Sequence, residues 1–81
     1  MLTSAQIRAA RALLDWQMKQ LAEASGVSAA TIQRIERQSG VPNTQGRTLL
    51  DLKRAFEDAG VEFIGTPEDD PGVRLKSAKQ S

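Results

Sequence analysis

A chain of 81 residues allows one domain with a small hydrophobic core, which is only marginally stable unless it is well packed or dimeric. Cysteine and histidine are both absent, so disulfide bonds, thiolate metal sites and the commonest general base of enzymes are excluded. The net charge is +1. Residues 1–54 carry +4, from eight Lys and Arg against four Asp and Glu, and residues 55–81 carry −3, from three Lys and Arg against six Asp and Glu. Any phosphate binding is therefore expected in residues 1–54.

The first predicted helix runs from about Ser4 to Leu14. Thr3 and Gln6 have the spacing of a capping box, in which each side chain bonds to the backbone N–H of the other residue. Leu2 can pack against Ile7 as a hydrophobic staple at the same helix end. The inner face of this helix is predicted to hold Ile7, Ala10 and Leu14.

Two short helices joined by a tight turn are predicted over residues 18–37. On the first of them, apolar or small residues recur at offsets of three, four and seven, namely Met18, Leu21, Ala22 and Ser25. Asp15 is expected to cap this helix one turn earlier, since a carboxylate is favourable near a helix N-terminus. Gly26 permits a positive φ at the turn. Trp16, the only tryptophan, is expected in the core or as a lid over it.

The second helix of this pair, predicted over residues 28–38, has two different faces. Ser28 is a suitable N-cap, and Val27 and Ile32 have the positions of a hydrophobic staple. Ile32 and Ile35 form the inward face. The opposite side is flat, cationic and rich in amide, so it could lie in a DNA major groove. That side carries Ala29, Ala30, Gln33, Arg34 and Arg37.

Residues 38–46, QSGVPNTQG, are predicted to form a loop because Gly, Pro and Asn interrupt the periodic pattern. A fourth helix follows from about Arg47 to Ala59, and Gly60 is its expected C-terminal cap. The four helices are predicted to pack around Ile7, Leu14, Leu21, Ala22, Val27, Ile32, Ile35, Leu49, Leu52 and Phe56.

After Gly60 the pattern changes to that of strands. Residues 61–64 and 73–76 are predicted to pair as a β-hairpin, connected by residues 65–72 in a loop too long for a tight turn. Residues 77–81 are small and polar, and we expect them to be disordered. The chain would therefore consist of a helical domain (1–60), a C-terminal hairpin (61–76) and a tail (77–81).

Over residues 18–37 the chain resembles the helix-turn-helix regulators of the lambda-repressor and Cro type, often called Xre-like. The matching positions are Leu21, Ala22, Ser25, Gly26, Val27, Ser28, Ile32, Ile35 and Glu36. The resemblance covers about residues 4–60. It implies a mainly α, four-helix lambda-repressor-like domain, here followed by the hairpin, and it implies binding of double-stranded DNA by the helix over residues 28–38.

The same resemblance implies roles for individual residues. The base-reading positions are Ala29, Ala30, Gln33 and Arg34. The positions that contact the DNA backbone are Gln17, Ser28, Thr31, Arg37, Asn43, Thr44 and Arg47. An ion pair between Arg11 and Glu36 would dock the first helix on the third. The alternative for this pair is two solvated charges that never meet.

The chain departs from the family at the start of the second helix. The family usually has Ser-Gln there, with Ser as the cap and Gln on a phosphate, where this chain has Gln17 and Met18. Met18 cannot hydrogen-bond to a phosphate. Two functions therefore stay open. One is a sequence-specific DNA-binding regulator that acts as a dimeric repressor, and the other is a protein-binding module, such as an antiactivator or antitoxin, that docks a partner regulator with the same helical face.

The hairpin supplies the predicted dimer contact. An isolated two-stranded hairpin is marginally stable in water, so the hairpins of two chains are expected to associate and form a homodimer. The predicted contact residues are Val61, Phe63, Ile64, Val73 and Leu75. The helices over residues 28–38 of the two chains would then face successive major grooves about 34 Å apart. The competing hypothesis folds the hairpin back on the fourth helix of its own chain.

No enzyme site is expected in this sequence. Glu68, Asp69 and Asp70 form the only acidic cluster, and a solvated loop explains it. No Gly-rich phosphate loop or nucleophile motif is present. We therefore expect no catalytic residue, no metal and no cofactor. No apolar run approaches the length of a membrane span or a signal-peptide core, so a soluble, cytoplasmic protein without a membrane partner is expected.

Overall fold

The computed structural model describes residues 2–76, which form four helices and a two-stranded antiparallel hairpin. The helices are α1 (Ser4–Leu14), α2 (Met18–Ser25), α3 (Ala29–Glu36) and α4 (Gly46–Asp58), and the strands are β1 (Val61–Thr66) and β2 (Asp69–Leu75). The predicted fold class is confirmed. The predicted tail, residues 77–81, lies outside the described residues. Within residues 2–76, no helix is both long enough and apolar enough to cross a membrane.

Side-chain caps start α1 and α3 as predicted. At α1, the Thr3 hydroxyl accepts a hydrogen bond from the Gln6 N–H at 3.1 Å, and Gln6 Oε1 accepts one from the Thr3 N–H at 2.9 Å. At α3, Ser28 Oγ accepts a hydrogen bond from the Thr31 N–H at 3.2 Å. These bonds satisfy donors that a helix leaves unpaired in its first turn, so both starts are specified locally.

The prediction that Asp15 caps the second helix is wrong. Asp15 ends α1 in the left-handed conformation, with a φ of 55°, and its N–H donates to the Ala12 carbonyl at 3.1 Å. Only residues 15–17 connect α1 to α2, so Asp15 is needed to end α1. Asp adopts the left-handed conformation more readily than most residues. Gln17 occupies the N-cap of α2, where its N–H donates to Gln20 Oε1 at 2.6 Å.

The third helix is shorter than the predicted 28–38, since it ends at Glu36. Side chains of α1 bond to its last carbonyls. Ser4 Oγ donates to the Ile35 carbonyl at 2.7 Å, and the Arg8 guanidinium donates to the Glu36 carbonyl. The Gln38 N–H closes the final turn on the Ile35 carbonyl at 3.2 Å. The chain then leaves the helix and continues as a loop.

One hydrophobic core is shared by the helices and the hairpin. Within the predicted core, Leu14 and Ala22 are half-buried at its margin, and the other predicted residues are buried. The core also includes Leu2, Ala10, Ala55 and Val61. Trp16 stacks on Phe56 with ring centroids 6.0 Å apart and an interplanar angle of 26°, and Phe63 meets Phe56 edge-on at 5.8 Å. Trp16 is therefore a half-buried lid over this core.

The predicted long loop over residues 65–72 is wrong, because strand pairing continues as far as Thr66 and Asp69. Two residues with positive φ make this possible, Gly65 at 78° and Asp70 at 53°, next to an irregularity in the strand register. A Cβ atom on Gly65 would lie 2.2 Å from the Asp70 carbonyl oxygen. Glycine therefore lets the two strands approach closely and turn tightly.

The hairpin packs on its own chain, against both α1 and α4. Val61 is 1% exposed, and Phe63 and Val73 are half-buried against the core. Within one chain, these three side chains pack in the arrangement of the competing hypothesis, with α1 as an additional support. The association of two hairpins stays a prediction. Ile64 and Leu75 are exposed.

Polar contacts fasten and brace the hairpin. Gln6 Nε2 donates to the Gly72 carbonyl at 2.9 Å and to the Ile64 carbonyl at 3.2 Å, which ties both strands to α1. Across the strands, Arg74 Nη2 lies 2.7 Å from Glu62 Oε1. The hydrogen bond from the Arg74 guanidinium, with its positive charge, holds the pKa of the Glu62 carboxyl below its ordinary value.

Candidate nucleic-acid interface

The tight turn between α2 and α3 is built around Gly26. Its φ is 78°, and its N–H donates to the Ala22 carbonyl at 2.9 Å. Ser25 braces the turn, since its hydroxyl donates to the Leu21 carbonyl at 2.7 Å and accepts from the Val27 N–H at 3.1 Å. Local bonds therefore set the direction of α3 relative to α2.

The third helix has one buried face and one exposed face. Ile32 and Ile35 are completely buried. The predicted base-reading residues are all exposed, namely Ala29, Ala30, Gln33 and Arg34. An α-helix fits the major groove of DNA, and a guanidinium and an amide can bond to base edges there. The exposed face of α3 therefore has suitable chemistry for reading bases.

The hydroxyl groups of Ser28 and Thr31 are bonded to each other at the start of α3. Ser28 Oγ accepts from the Thr31 N–H and donates its own hydrogen to Thr31 Oγ1 at 3.0 Å. The Thr31 hydroxyl hydrogen can then donate to an external acceptor. Of the two hydroxyl hydrogens, only that of Thr31 is then left without an acceptor within residues 2–76.

The loop after α3, residues 37–45, is held against α1 and α3. The Ser4 N–H donates to the Gly40 carbonyl at 2.8 Å, and the Asn43 N–H donates to Gln38 Oε1 at 2.7 Å. The Asn43 carbonyl accepts from Arg34 Nη1 at 3.4 Å. The structure thus brings together Arg34, predicted to read a base, and Asn43, predicted to contact the DNA backbone.

The other residues predicted to contact the DNA backbone differ in how close they lie to the exposed face of α3. Arg47 is exposed in the first turn of α4, directly after the loop, and Arg37 is exposed at the end of α3. Thr44 is half-buried. Gln17 is exposed at the start of α2, and within residues 2–76 no hydrogen bond joins it to α3 or to the loop. Met18 packs against the hydrophobic core, so its side chain faces inward.

The structure contains the ion pair that the resemblance implies between Arg11 and Glu36. Arg11 Nε lies 2.9 Å from Glu36 Oε2, and Arg11 Nη2 lies 3.0 Å from Oε1. Arg11 Nη1 also donates to the Trp16 carbonyl at 2.9 Å. The hydrogen bond to Glu36 raises the pKa of Arg11 above its ordinary value. One guanidinium therefore ties α1 to the α1–α2 turn and to the end of α3.

Sequence reasoning missed three residues that hold this surface in place. Ser4 and Arg8 bond to the last carbonyls of α3, and Gln38 bonds to Asn43 within the loop. A weak signal was present, because Ser4, Arg8 and Arg11 recur on α1 at offsets of four and seven and so share one face. Nothing in their spacing identifies a backbone carbonyl of another helix as the partner.

Comparisons with known proteins agree with this geometry. A helix-turn-helix family model matches residues 7–56, which extend from within α1 to within α4. The matched region includes the turn at Gly26, the exposed face of α3 and the loop that follows it. No curated protein matches the chain.

Proposed function

Because this chain belongs to the helix-turn-helix family, a DNA-binding regulatory family whose members are typically not enzymes, we propose that it is a sequence-specific repressor. It acts as a homodimer and reads the major groove of double-stranded DNA with α3. The observation that carries this proposal is the exposed face of α3, with Arg34 beside a loop that is hydrogen-bonded to the same helix.

Discrimination between bases falls mainly on Arg34 and Gln33. Alanine has no hydrogen bond to give, so Ala29 and Ala30 offer only methyl contacts, which thymine methyl groups satisfy best. The Arg34 guanidinium can bond in a bidentate manner to a guanine, and the Gln33 amide can bond to an adenine. These four exposed residues form the reading surface.

Phosphate contacts fix the position of α3 in the groove without reading sequence. Arg37 and Arg47 supply exposed positive charge, and Thr31 supplies a hydroxyl donor. Asn43 and Thr44 offer further donors from the loop. Gln17 and Ser28 complete the set, with Ser28 acting through the start of α3. The positive charge of residues 1–54 favours this assignment.

Substitution of two arginines separates reading from anchoring. On an operator obtained by selection from random DNA, Arg34→Ala should lose about 1–3 kcal/mol of binding free energy and become tolerant of substitution at one base pair. Arg47→Ala should weaken binding to all sequences alike and reduce the salt slope by about one unit. Titrations of the full chain at several salt concentrations measure both effects.

Arg74→Ala is the matched control, because Arg74 is exposed on the hairpin and pairs with Glu62. It removes the same charge and should leave selectivity unchanged. If Arg34→Ala binds the operator as tightly and as selectively as the parent, α3 does not read bases. The protein-docking alternative would then be the better account of this surface.

A further inference from the structure

Gln38 joins the predicted base-reading face to the loop beside it. Its Oε1 accepts from the Asn43 N–H at 2.7 Å, and its Nε2 donates to the Arg34 carbonyl at 3.4 Å. Its own N–H donates to the Ile35 carbonyl at 3.2 Å. One half-buried side chain at the start of the loop therefore contacts both the end of α3 and Asn43.

Pro42 is buried directly before Asn43, and the bond from Asn43 to Gln38 adds a polar contact at the same part of the loop. Gly40 turns the chain with a φ of 64°, and its carbonyl is bonded to the Ser4 N–H. Beyond Gly40, the backbone of residues 41–44 makes hydrogen bonds within the described residues only at Asn43. Without the Gln38 amide, Asn43 would lose the hydrogen bond of its N–H, which lies in the same residue as the carbonyl that accepts from Arg34.

The position of the Asn43 carbonyl bears directly on Arg34. That carbonyl accepts from Arg34 Nη1, which leaves other N–H groups of the planar guanidinium for a base edge. Bidentate recognition requires two donors in one fixed direction. An exposed arginine with many rotamers loses conformational freedom when it is ordered on binding, and a guanidinium that is already held loses less.

We infer that Gln38 is a positioning residue for base recognition, which fixes Asn43 so that its carbonyl orients Arg34. Gln38 itself touches no base. This inference rests on the proposed function, because it takes Arg34 as the residue that reads a base pair.

The test uses Gln38→Met in the full chain, since methionine keeps the length of the side chain and removes both the acceptor and the donor of the amide. On the selected operator and its single-base-pair variants, selectivity at the base pair read by Arg34 should fall about three- to tenfold. Affinity for random DNA should stay unchanged. In an Arg34→Ala background, Gln38→Met should alter selectivity little, because the two residues act through the same guanidinium.

Two further variants serve as controls. Gln38→Glu keeps an acceptor for the Asn43 N–H and should restore most of the selectivity. Ser39→Ala changes an exposed neighbour whose side chain makes no hydrogen bond with any of residues 2–76, and it should have no effect. In the free protein, the Asn43 amide hydrogen should exchange slowly in the parent and in Gln38→Glu, and quickly in Gln38→Met.

Each other outcome counts against the inference in a recognisable way. Parental selectivity in Gln38→Met, or an equal loss in the Arg34→Ala background, overturns it and leaves the proposed function standing. Fast exchange of the Asn43 amide in the parent also overturns it. A parent chain without preference among DNA sequences overturns the proposed function itself, and this inference with it.

Discussion

Among single residues, Glu36 has a buried carboxylate whose pairing strongly affects the free energy of unfolding. Its side chain is 5% exposed, and Arg11 reaches it with two hydrogen bonds. Removal of a carboxylate from water costs several kcal/mol unless a charge partner and hydrogen bonds compensate. Arg11 supplies both, so loss of Arg11 alone would leave an uncompensated buried charge.

Arg11→Met should therefore lower the free energy of unfolding by about 3–5 kcal/mol. The double variant Arg11→Met/Glu36→Met should be less destabilised than Arg11→Met, because no charge then remains unpaired. Urea unfolding followed by the fluorescence of Trp16 measures both values. Lys53→Met is the control, since Lys53 and Glu57 form a half-exposed ion pair at 3.4 Å whose loss should cost about 0.5 kcal/mol or less.

If Arg11→Met costs no more than Lys53→Met, the buried pair does not hold α1 on α3. An additive double variant would mean that the two side chains act independently, against the geometry of the pair.

For single residues, the sequence predicted the hydrogen bonds that form between residues close to each other in the chain. The Thr3–Gln6 capping box and the Ser28 cap follow from spacings of three residues, and the structure has both. A hydrogen bond from a side chain to a backbone carbonyl far away in the chain requires no particular spacing in the sequence. Ser4 on Ile35, and Gln6 on the hairpin, were therefore beyond prediction.

Among the elements, the hairpin depends on Gly65 in a way that the turn between α2 and α3 does not depend on Gly26. Gly65 and Gly26 have the same φ of 78°. A Cβ atom on Gly26 would meet nothing within 4 Å, whereas one on Gly65 would lie 2.2 Å from the Asp70 carbonyl oxygen. Substitution of either glycine by alanine strains the backbone, but only at Gly65 does it also force the strands apart.

Gly26→Ala should destabilise the chain by about 1 kcal/mol, the cost of a left-handed alanine. Gly65→Ala should cost more, about 2–3 kcal/mol, or should unpair the end of the hairpin so that its amide hydrogens exchange quickly. Chemical denaturation and hydrogen exchange distinguish these results from an unchanged protein. Equal losses with an intact hairpin would show that the close approach at Gly65 is not restrictive.

The boundaries of the helices were predictable to within a few residues, and the turn of the hairpin was not. Helix boundaries follow from capping residues and from apolar periodicity. The tight turn requires Asp70, a non-glycine residue, in a positive φ conformation. Such a conformation is uncommon for residues other than glycine, so residues 65–72 carried no signal for continued pairing.

For the whole molecule, the hairpin is part of the same core as the helices. Val61 is buried with Phe56 in that core, and Phe63 and Val73 pack against it. A chain truncated after Gly60 would expose this apolar surface and lose stability for that reason alone. The sequence could not separate packing within one chain from packing between two, because both bury the same apolar residues. Substitutions of exposed residues therefore test the proposed dimer better than truncation.

The proposed dimer depends on the apolar hairpin side chains that its own chain leaves exposed, Ile64 at 39% and Leu75 at 45%. Strand pairing places Leu75 opposite Val61, on the face toward the helices, and Ile64 on the other face of the hairpin. If two chains associate through either side chain, Ile64→Lys/Leu75→Lys should shift the chain from dimer to monomer at tens of micromolar, because a charge would enter an apolar contact. Leu50→Lys is the control, since Leu50 is 51% exposed on α4, and it should remain dimeric. Sedimentation equilibrium measures the three masses. A monomeric parent, or a dimer that only Leu50→Lys dissociates, would contradict a hairpin-mediated dimer.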